Sequence, residues 1–240
     1  MFNLMSHTKE SFAKLFECGI TPFTTPADIE LFMAEALKYG YRTVLSVSND
    51  LEHYKRLLKG SDIKLGGLFA YPSGEMCIES KKCELQKLIE GGCSTVDGVI
   101  NMSFLMSHEY ERLLEETRGL VQFAKGLCED IEIKFIIECA LLNDNDEELI
   151  KGSKIIKESG AHYVKMDTGW IPPGGNLRQL KIIREAVGPD FGVKFCGALA
   201  ASTQGSVAAF ETGADIIGEV PVKVIENFDN YKALRQKGVI

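Results

Sequence analysis

The 240-residue chain predicts a single (β/α)₈ barrel. Three observations carry that expectation. The length suits one large α/β domain. Short apolar runs alternate with amphipathic segments throughout, and no linker-like or low-complexity stretch divides the series. Hydrophobic residues make up 45% and charged residues 25%, enough for a full core and against disorder.

In chain order, a short helical extension is expected at about residues 6–17, ahead of the first strand. The eight strands are then expected at residues 19–21, 43–47, 64–70, 95–101, 134–139, 163–167, 192–196 and 216–220. They are rich in Val, Ile, Phe and Leu and bounded by Gly, Pro, Asp or Ser, as strands buried on both faces should be. Helices are expected at 27–39, 51–58, 81–90, 107–127, 145–159, 176–187 and 203–211. The first has a clear start signal in Thr25-Pro26, an N-cap threonine followed by a proline at the first helical position. Gly40, Gly91, Gly160 and Gly213 supply the glycines that end helices. Eight strands alternating with helices fit a closed parallel barrel better than an open doubly wound sheet. The chain contains neither a G-x-G-x-x-G after a strand nor a phosphate-binding G-x-x-x-x-G-K-[ST], which weakens a nucleotide-binding reading.

The bulk chemistry removes several classes of partner. A formal net charge of −7 with no Lys/Arg-rich run argues against nucleic acid and anionic membrane. The N-terminal segment does not read as a signal peptide, and no window reaches the length of a membrane-spanning helix. Seven cysteines without a C-x-x-C pair read as reduced thiols of a cytoplasmic protein. His7, His53, His108 and His162 are scattered without metal-ligand spacing, so neither a metal nor another cofactor is expected.

The informative anomaly is charge inside apolar strands. Asp97 sits in Ser-Thr-Val-Asp-Gly-Val-Ile-Asn, Glu138 in Lys-Phe-Ile-Ile-Glu-Cys, Lys165 in Tyr-Val-Lys-Met-Asp-Thr-Gly, and Lys194 in Gly-Val-Lys-Phe-Cys-Gly. Burying an unpaired charge costs several kcal/mol, so such residues need partners or a job. Lys165 and Lys194 are 29 residues apart, about one βα unit, and should stand on adjacent strands at similar height. Asp97 should face them across the barrel mouth, where catalytic side chains collect. Lys134, at the start of its strand, reads instead as structural, either a buried ion-pair partner or a lysine that snorkels to the rim.

A lysine pair has a specific chemical use. An unperturbed lysine is neutral in only about 0.04% of molecules at pH 7. Desolvation and a second ammonium lower that pKa, and the freed amine can add to an aldehyde or ketone. Loss of water leaves an iminium ion that acidifies the adjacent carbon or lets a C–C bond break. Asp97 is placed to move the protons. On this reading Lys165 is held uncharged by its cationic neighbour.

At this point the sequence resembles the deoxyribose-phosphate aldolase family and its DeoC-like class I relatives. The matching stretches are Phe69-Ala-Tyr-Pro-Ser-Gly74, Gly92-Cys-Ser-Thr-Val-Asp-Gly-Val-Ile-Asn101, Lys134-Phe-Ile-Ile-Glu138, Gly160-Ala-His-Tyr-Val-Lys-Met-Asp-Thr-Gly169, Gly192-Val-Lys-Phe-Cys-Gly197 and Gly213-Ala-Asp-Ile-Ile-Gly218. The resemblance implies Lys165 as the Schiff-base lysine, Lys194 as the lysine that perturbs it and Asp97 as the proton-relay carboxylate. It also implies a substrate pocket drawing on Asn101, Glu138, Asp167, Thr168, Gly197, Gly218 and Glu219. The substrate expected is a small aldehyde, sugar or sugar phosphate, and self-association into a homodimer or higher homo-oligomer is expected of such a barrel.

The departures from the family pattern are equally specific. An Asp-His-Thr segment is usual near the N-terminus, whereas Leu15-Phe-Glu-Cys-Gly-Ile-Thr-Pro22 lacks that aspartate and threonine. The usual Thr-Ser-Thr-Gly is Met166-Asp-Thr-Gly169, followed by Trp170. The glycine pair with a basic residue is Gly197-Ala-Leu-Ala-Ala201, and the Ser-rich phosphate contact is Gly218-Glu-Val-Pro221. A carboxylate about 5 Å from a phosphate costs roughly 3 kcal/mol at an effective dielectric of 20, over a hundredfold in affinity. Glu219 therefore points to an altered phosphate pocket. The alternatives are another lysine-iminium enzyme, transaldolase-like or dehydratase-like, and a non-catalytic sugar-binding barrel.

Overall fold

The structure, a computed structural model, describes residues 2–19, 25–143, 145–218 and 222–240. Its strands are β1 (Phe16–Cys18), β2 (Thr43–Ser46), β3 (Lys64–Phe69), β4 (Thr95–Val99), β5 (Glu132–Ile136), β6 (Tyr163–Lys165), β7 (Gly192–Phe195) and β8 (Ile216–Gly218). All are parallel, each beside the next, and β8 returns to β1 to close the barrel. The (β/α)₈ barrel expected from the alternation is the fold observed.

The helices form the outer layer. A 3₁₀ turn (Leu4–Ser6) and α1 (Lys9–Ala13) precede β1. Then come α2 (Pro26–Tyr39), α3 (Leu51–Leu57), α4 (Ile78–Glu90), α5 (Met102–Met106) and α6 (Tyr110–Leu127). After β5 lie α7 (Cys139–Leu142) and α8 (Asp146–Glu158); α9 (Leu177–Val187) follows β6 and α10 (Thr203–Thr212) follows β7. The chain ends with α11 (Val222–Glu226) and α12 (Phe228–Gln236). The Thr25-Pro26 start holds as a reciprocal cap: Asp28 N–H donates to Thr25 Oγ1 at 3.3 Å, and Thr25 N–H to Asp28 Oδ2 at 2.8 Å.

Three expectations need correction. The helical extension expected to reach residue 17 stops at Ala13, and residues 16–17 open β1 rather than ending a helix. The strand expected at 19–21 lies at Phe16–Cys18; Ile20 and Thr21 are outside the described residues, as is Val220 of the expected eighth strand. Phe16 is drawn into the sheet by aromatic packing. It meets Phe12 of α1 edge-on at 5.0 Å, and Phe12 stacks on Phe228 of α12 at 4.3 Å. The helix expected at 107–127 begins only at Tyr110, and the left-handed His108, with a φ of 59°, separates it from α5.

Side chains alternate across each strand, so one face packs under the helices and the other fills the barrel. Val96, Phe135, Val164, Val193 and Ile217 are buried apolar residues that support the outer layer. The inward set is different in kind. Register pairs Asp97 with Lys134, Lys165 with Lys194, and Glu17 with Thr43 and Gly218. Tyr163 fills the lower interior, and a Cβ on Gly192 would come within 2.1 Å of its ring. The barrel interior thus combines an ionic column with apolar residues such as Leu45, Leu68, Val99, Ile136 and Ile216.

Candidate active site

The interior charges form one connected network running up the barrel axis. At its base Arg42 donates to Glu132 through both terminal nitrogens, at 2.7 and 3.0 Å, and also to Glu17. Lys134 lies 2.8 Å from Glu132, 3.4 Å from Glu17 and 3.4 Å from Asp97, and donates to Thr95. Of the two structural readings of Lys134, the buried ion-pair partner is the one observed. Above it Lys194 donates to Glu17 Oε2 and Asp97 Oδ2, both at 2.6 Å. Lys165 completes the column by donating to the same Asp97 Oδ2 at 3.2 Å. Glu17, Asp97, Lys134 and Lys194 have no exposed surface, and Lys165 keeps only 5%.

Four cationic side chains thus share three carboxylates. One positive charge is in excess, and Lys165 is the least enclosed cation of the upper tier.

The electrostatics of the resting site correct one expectation. Burial pushes the Asp97 pKa up, but the ammonium groups of Lys194, Lys134 and Lys165 overcome that and hold it far below the usual carboxylate range. For Lys165 burial works against the charged form, yet the Asp97 carboxylate outweighs it and holds the amine above its ordinary value. Lys165 is not kept uncharged by Lys194. The carboxylate lies between the two amines and screens one from the other. Glu17 follows the same pattern: burial opposes its charge, and Lys134 and Lys194 bring its pKa down.

Other residues singled out from the sequence fall in three places. Gly218 lies against Lys194, where a Cβ would come within 2.6 Å of Lys194 Cε. Glu138, Asp167 and Thr168 form a second cluster where β5 and β6 end. Glu138 Oε2 accepts the Thr168 N–H at 3.0 Å, and Asp167 Oδ1 accepts the Ala140 N–H at 3.1 Å. Thr168 is committed further, its carbonyl accepting from Tyr71 Oη at 2.7 Å and its Oγ1 from Trp170 N–H at 3.1 Å. Gly197 bridges Gly174, and a Cβ there would meet the Gly175 carbonyl oxygen at 2.4 Å. Asn101 stands apart, buried and capping α5 by accepting the Phe104 N–H at 3.2 Å. Glu219 lies outside the described residues.

Glu17, Arg42, Glu132 and Tyr71 join the site without having stood out in the sequence. Glu17 carried a usable signal, because it is a charge within a strand, but that strand was expected three residues later. Tyr71 sits near Lys165, and its burial pushes the phenol pKa up to about 12, so it remains a hydrogen-bond donor at neutral pH.

Residues 8–224 match the model of the DeoC/LacD family of aldolases. A deoxyribose-phosphate aldolase of Thermoanaerobacter sp. is 33% identical over 214 residues, covering 89% of this chain and 94% of that protein. Another, from Clostridium perfringens, is 34% identical over 211 residues, covering 88% of this chain and 92% of its own. Among solved structures, the tetrameric deoxyribose phosphate aldolase from Aeropyrum pernix has a TM-score of 0.83 at 27% identity over 93% of each chain.

Proposed function

The chain belongs to the DeoC/LacD family of aldolases, and on that premise we propose that it is a class I enzyme forming its Schiff base on Lys165. Carbon–carbon lyase chemistry follows from the family. The assignment of roles is our reading. It is carried by one observation: Lys165 and Lys194, register partners on β6 and β7, converge on one oxygen of Asp97.

In this reading Lys165 loses its proton as the carbonyl substrate enters and displaces water from the mouth. The amine adds to the carbonyl carbon, and the resulting carbinolamine expels water to give an iminium ion. For cleavage, removal of a proton from the substrate's β-hydroxyl drives electrons into the iminium. The C–C bond breaks, an aldehyde leaves, and the enamine that remains is protonated and hydrolysed. Asp97 carries protons between Lys165, Lys194 and the reacting atoms, since its carboxylate is within reach of both amines. Lys194 is the cationic neighbour that limits how strongly Asp97 can hold the Lys165 ammonium.

The substrate we propose is a small sugar or sugar phosphate resembling 2-deoxyribose 5-phosphate, with a phosphate pocket altered at Gly218-Glu-Val-Pro221. The relatives' names support the sugar, and the acidic Glu219 supports the alteration. Self-association into a homo-oligomer and a cytoplasmic setting complete the proposal. The second is supported by the absence of a C-x-x-C pair among the seven cysteines.

The test is turnover of 2-deoxyribose 5-phosphate beside unphosphorylated 2-deoxyribose, with product analysis. Release of acetaldehyde together with a glyceraldehyde fragment is expected, with little preference for the phosphorylated sugar. Products from which no second carbonyl fragment is released would count against the aldol assignment, and a strong preference for the phosphorylated sugar would remove the altered pocket.

A further inference from the structure

Glu138 and Asp167 are two buried carboxyls at the top of the β5–β6 seam, near enough for the charge of Glu138 to act on Asp167. They are 2% and 0% exposed, and no lysine or arginine among the described residues forms an ion pair with either. Each has one oxygen well used, Glu138 Oε2 by the Thr168 amide and Asp167 Oδ1 by the Ala140 amide. The remaining oxygens, Glu138 Oε1 and Asp167 Oδ2, are buried without a hydrogen bond of good geometry, the Gly175 amide lying beside Asp167. Two orphan acceptors in adjacent carboxyls are satisfied together by one proton, and two carboxylates in contact cannot both ionise cheaply.

The hydrogen bonds cross the seam in both directions. Glu138, at the end of β5, holds an amide that follows β6. Asp167, just after β6, holds an amide of α7, the helix that follows β5. The result is a reciprocal clasp over the peptide segment that begins with Lys165. Backbone bonds extend it, since the Ile137 N–H donates to the Lys165 carbonyl at 2.9 Å and the Cys139 N–H to the Met166 carbonyl at 2.9 Å. Tyr71 ties the Thr168 carbonyl to the loop after β3. Glu138 adopts a φ of 46° to reach this position, a left-handed conformation that a non-glycine residue keeps only where its surroundings hold it.

We propose that Asp167 and Glu138 are positioning residues for the aldolase, sharing one proton that closes the clasp and fixes the segment carrying Lys165. The proposal rests on the reading of Lys165 as the Schiff-base lysine. Loss of the shared proton sets two buried carboxylates against each other and opens the clasp. The titratable groups around the pair are Lys165 on β6, Tyr71 after β3, Cys139 of α7 and Cys196 after β7. Burial first and the Glu138 charge second push the Asp167 pKa up to about 8, with the Ala140 and Gly175 amides opposing. The proton is thus held at neutral pH and lost at mildly alkaline pH.

Two amide variants separate this proton from the side chains that hold it. In Asp167→Asn the new NH₂ can donate to Glu138 while the amide oxygen still accepts from Ala140. In Glu138→Gln the reverse holds, and neither pair can lose a proton near neutrality. The reading is kcat/KM against pH, expressed as the ratio of variant to parent, so that the Lys165 titration common to both cancels. With a pair titrating at about 8, the clasped fraction of the parent falls about tenfold between pH 7 and 9, so each ratio should climb about tenfold across that range. A ratio that stays flat overturns the proposal, as does loss of borohydride trapping at Lys165 in both variants when the parent traps normally. Failure of the parent itself to trap at Lys165 would instead overturn the Schiff-base reading, which keeps the two failures distinguishable.

Discussion

Lys165 and Lys194 are paired in register on neighbouring strands, and both donate to Asp97 Oδ2, at 3.2 and 2.6 Å. The relationship makes Asp97 the pivot of the site. A carboxylate shared by two amines is neither a simple base nor a simple counter-ion. It stabilises the ammonium form of Lys165 at rest and offers the route by which that proton leaves.

The first prediction concerns that pivot. Asp97 raises the Lys165 pKa against the effect of burial. The ammonium is therefore stabilised below the ordinary lysine value, and this contribution is lost as pH rises through the folded-state value. In Asp97→Asn the carboxylate is gone while burial and Lys194 remain, so Lys165 should become neutral at lower pH. The midpoint of imine formation against pH should move acidward by about one to two units. Turnover should nevertheless fall about 10²- to 10⁴-fold, because proton transfer is lost. A midpoint that does not move contradicts the assigned role.

Lys194→Met should have the opposite effect on pH dependence. Removing a cation leaves Asp97 to Lys165 and Lys134, so the Lys165 ammonium is held more tightly and the optimum moves upward. The variant also leaves Glu17 and Asp97 without their 2.6 Å partner, and breaking a buried pair costs about 3–5 kcal/mol. Urea unfolding and a rate–pH profile read the two effects separately.

Gly218→Ala tests the space around Lys194. The added Cβ would lie 2.6 Å from Lys194 Cε, and the amine is pinned between two carboxylates with no exposed surface. The expected outcome is a loss of about tenfold or more in kcat, since small misplacement of a catalytic group is costly. The stability loss should be about 1–3 kcal/mol, as for overpacking. Full activity would show that Lys194 can shift without consequence.

The Asp167–Glu138 pair makes a prediction about stability. A carboxyl whose folded pKa is raised to about 8 binds a proton in the native state at pH values where the unfolded chain has released it. Stability then falls with rising pH between about 4 and 8, by at most about 1.4 kcal/mol per unit. Denaturant midpoints of the parent should drop across that window relative to Asp167→Asn. Parallel midpoints would mean that the proton is not held.

Much of this was legible in the sequence, for a physical reason. A strand buried on both faces must be apolar, so Asp97, Lys165 and Lys194 stood out against their neighbours, and the spacing of one βα unit set the two lysines side by side. Glu17 was hidden because its strand is three residues long and follows an amphipathic stretch, so local periodicity set the strand late. The effect of Asp97 on Lys165 was not legible either. Spacing places two amines together but does not reveal a carboxylate between them, and that changes the sign of the expected shift. Glu138 and Asp167 were both visible as pocket candidates. Their reciprocal hydrogen bonds across the seam depend on a left-handed residue after β5, which no pattern of residue types announces.

The most direct measurement is borohydride reduction of the protein in the presence of acetaldehyde, followed by peptide mass analysis. A single reduced adduct is expected on the peptide containing Lys165, absent in Lys165→Leu and still formed, more slowly, in Lys194→Met. An adduct carried by Lys194 instead, or the same adduct surviving in Lys165→Leu, would contradict the Lys165 assignment.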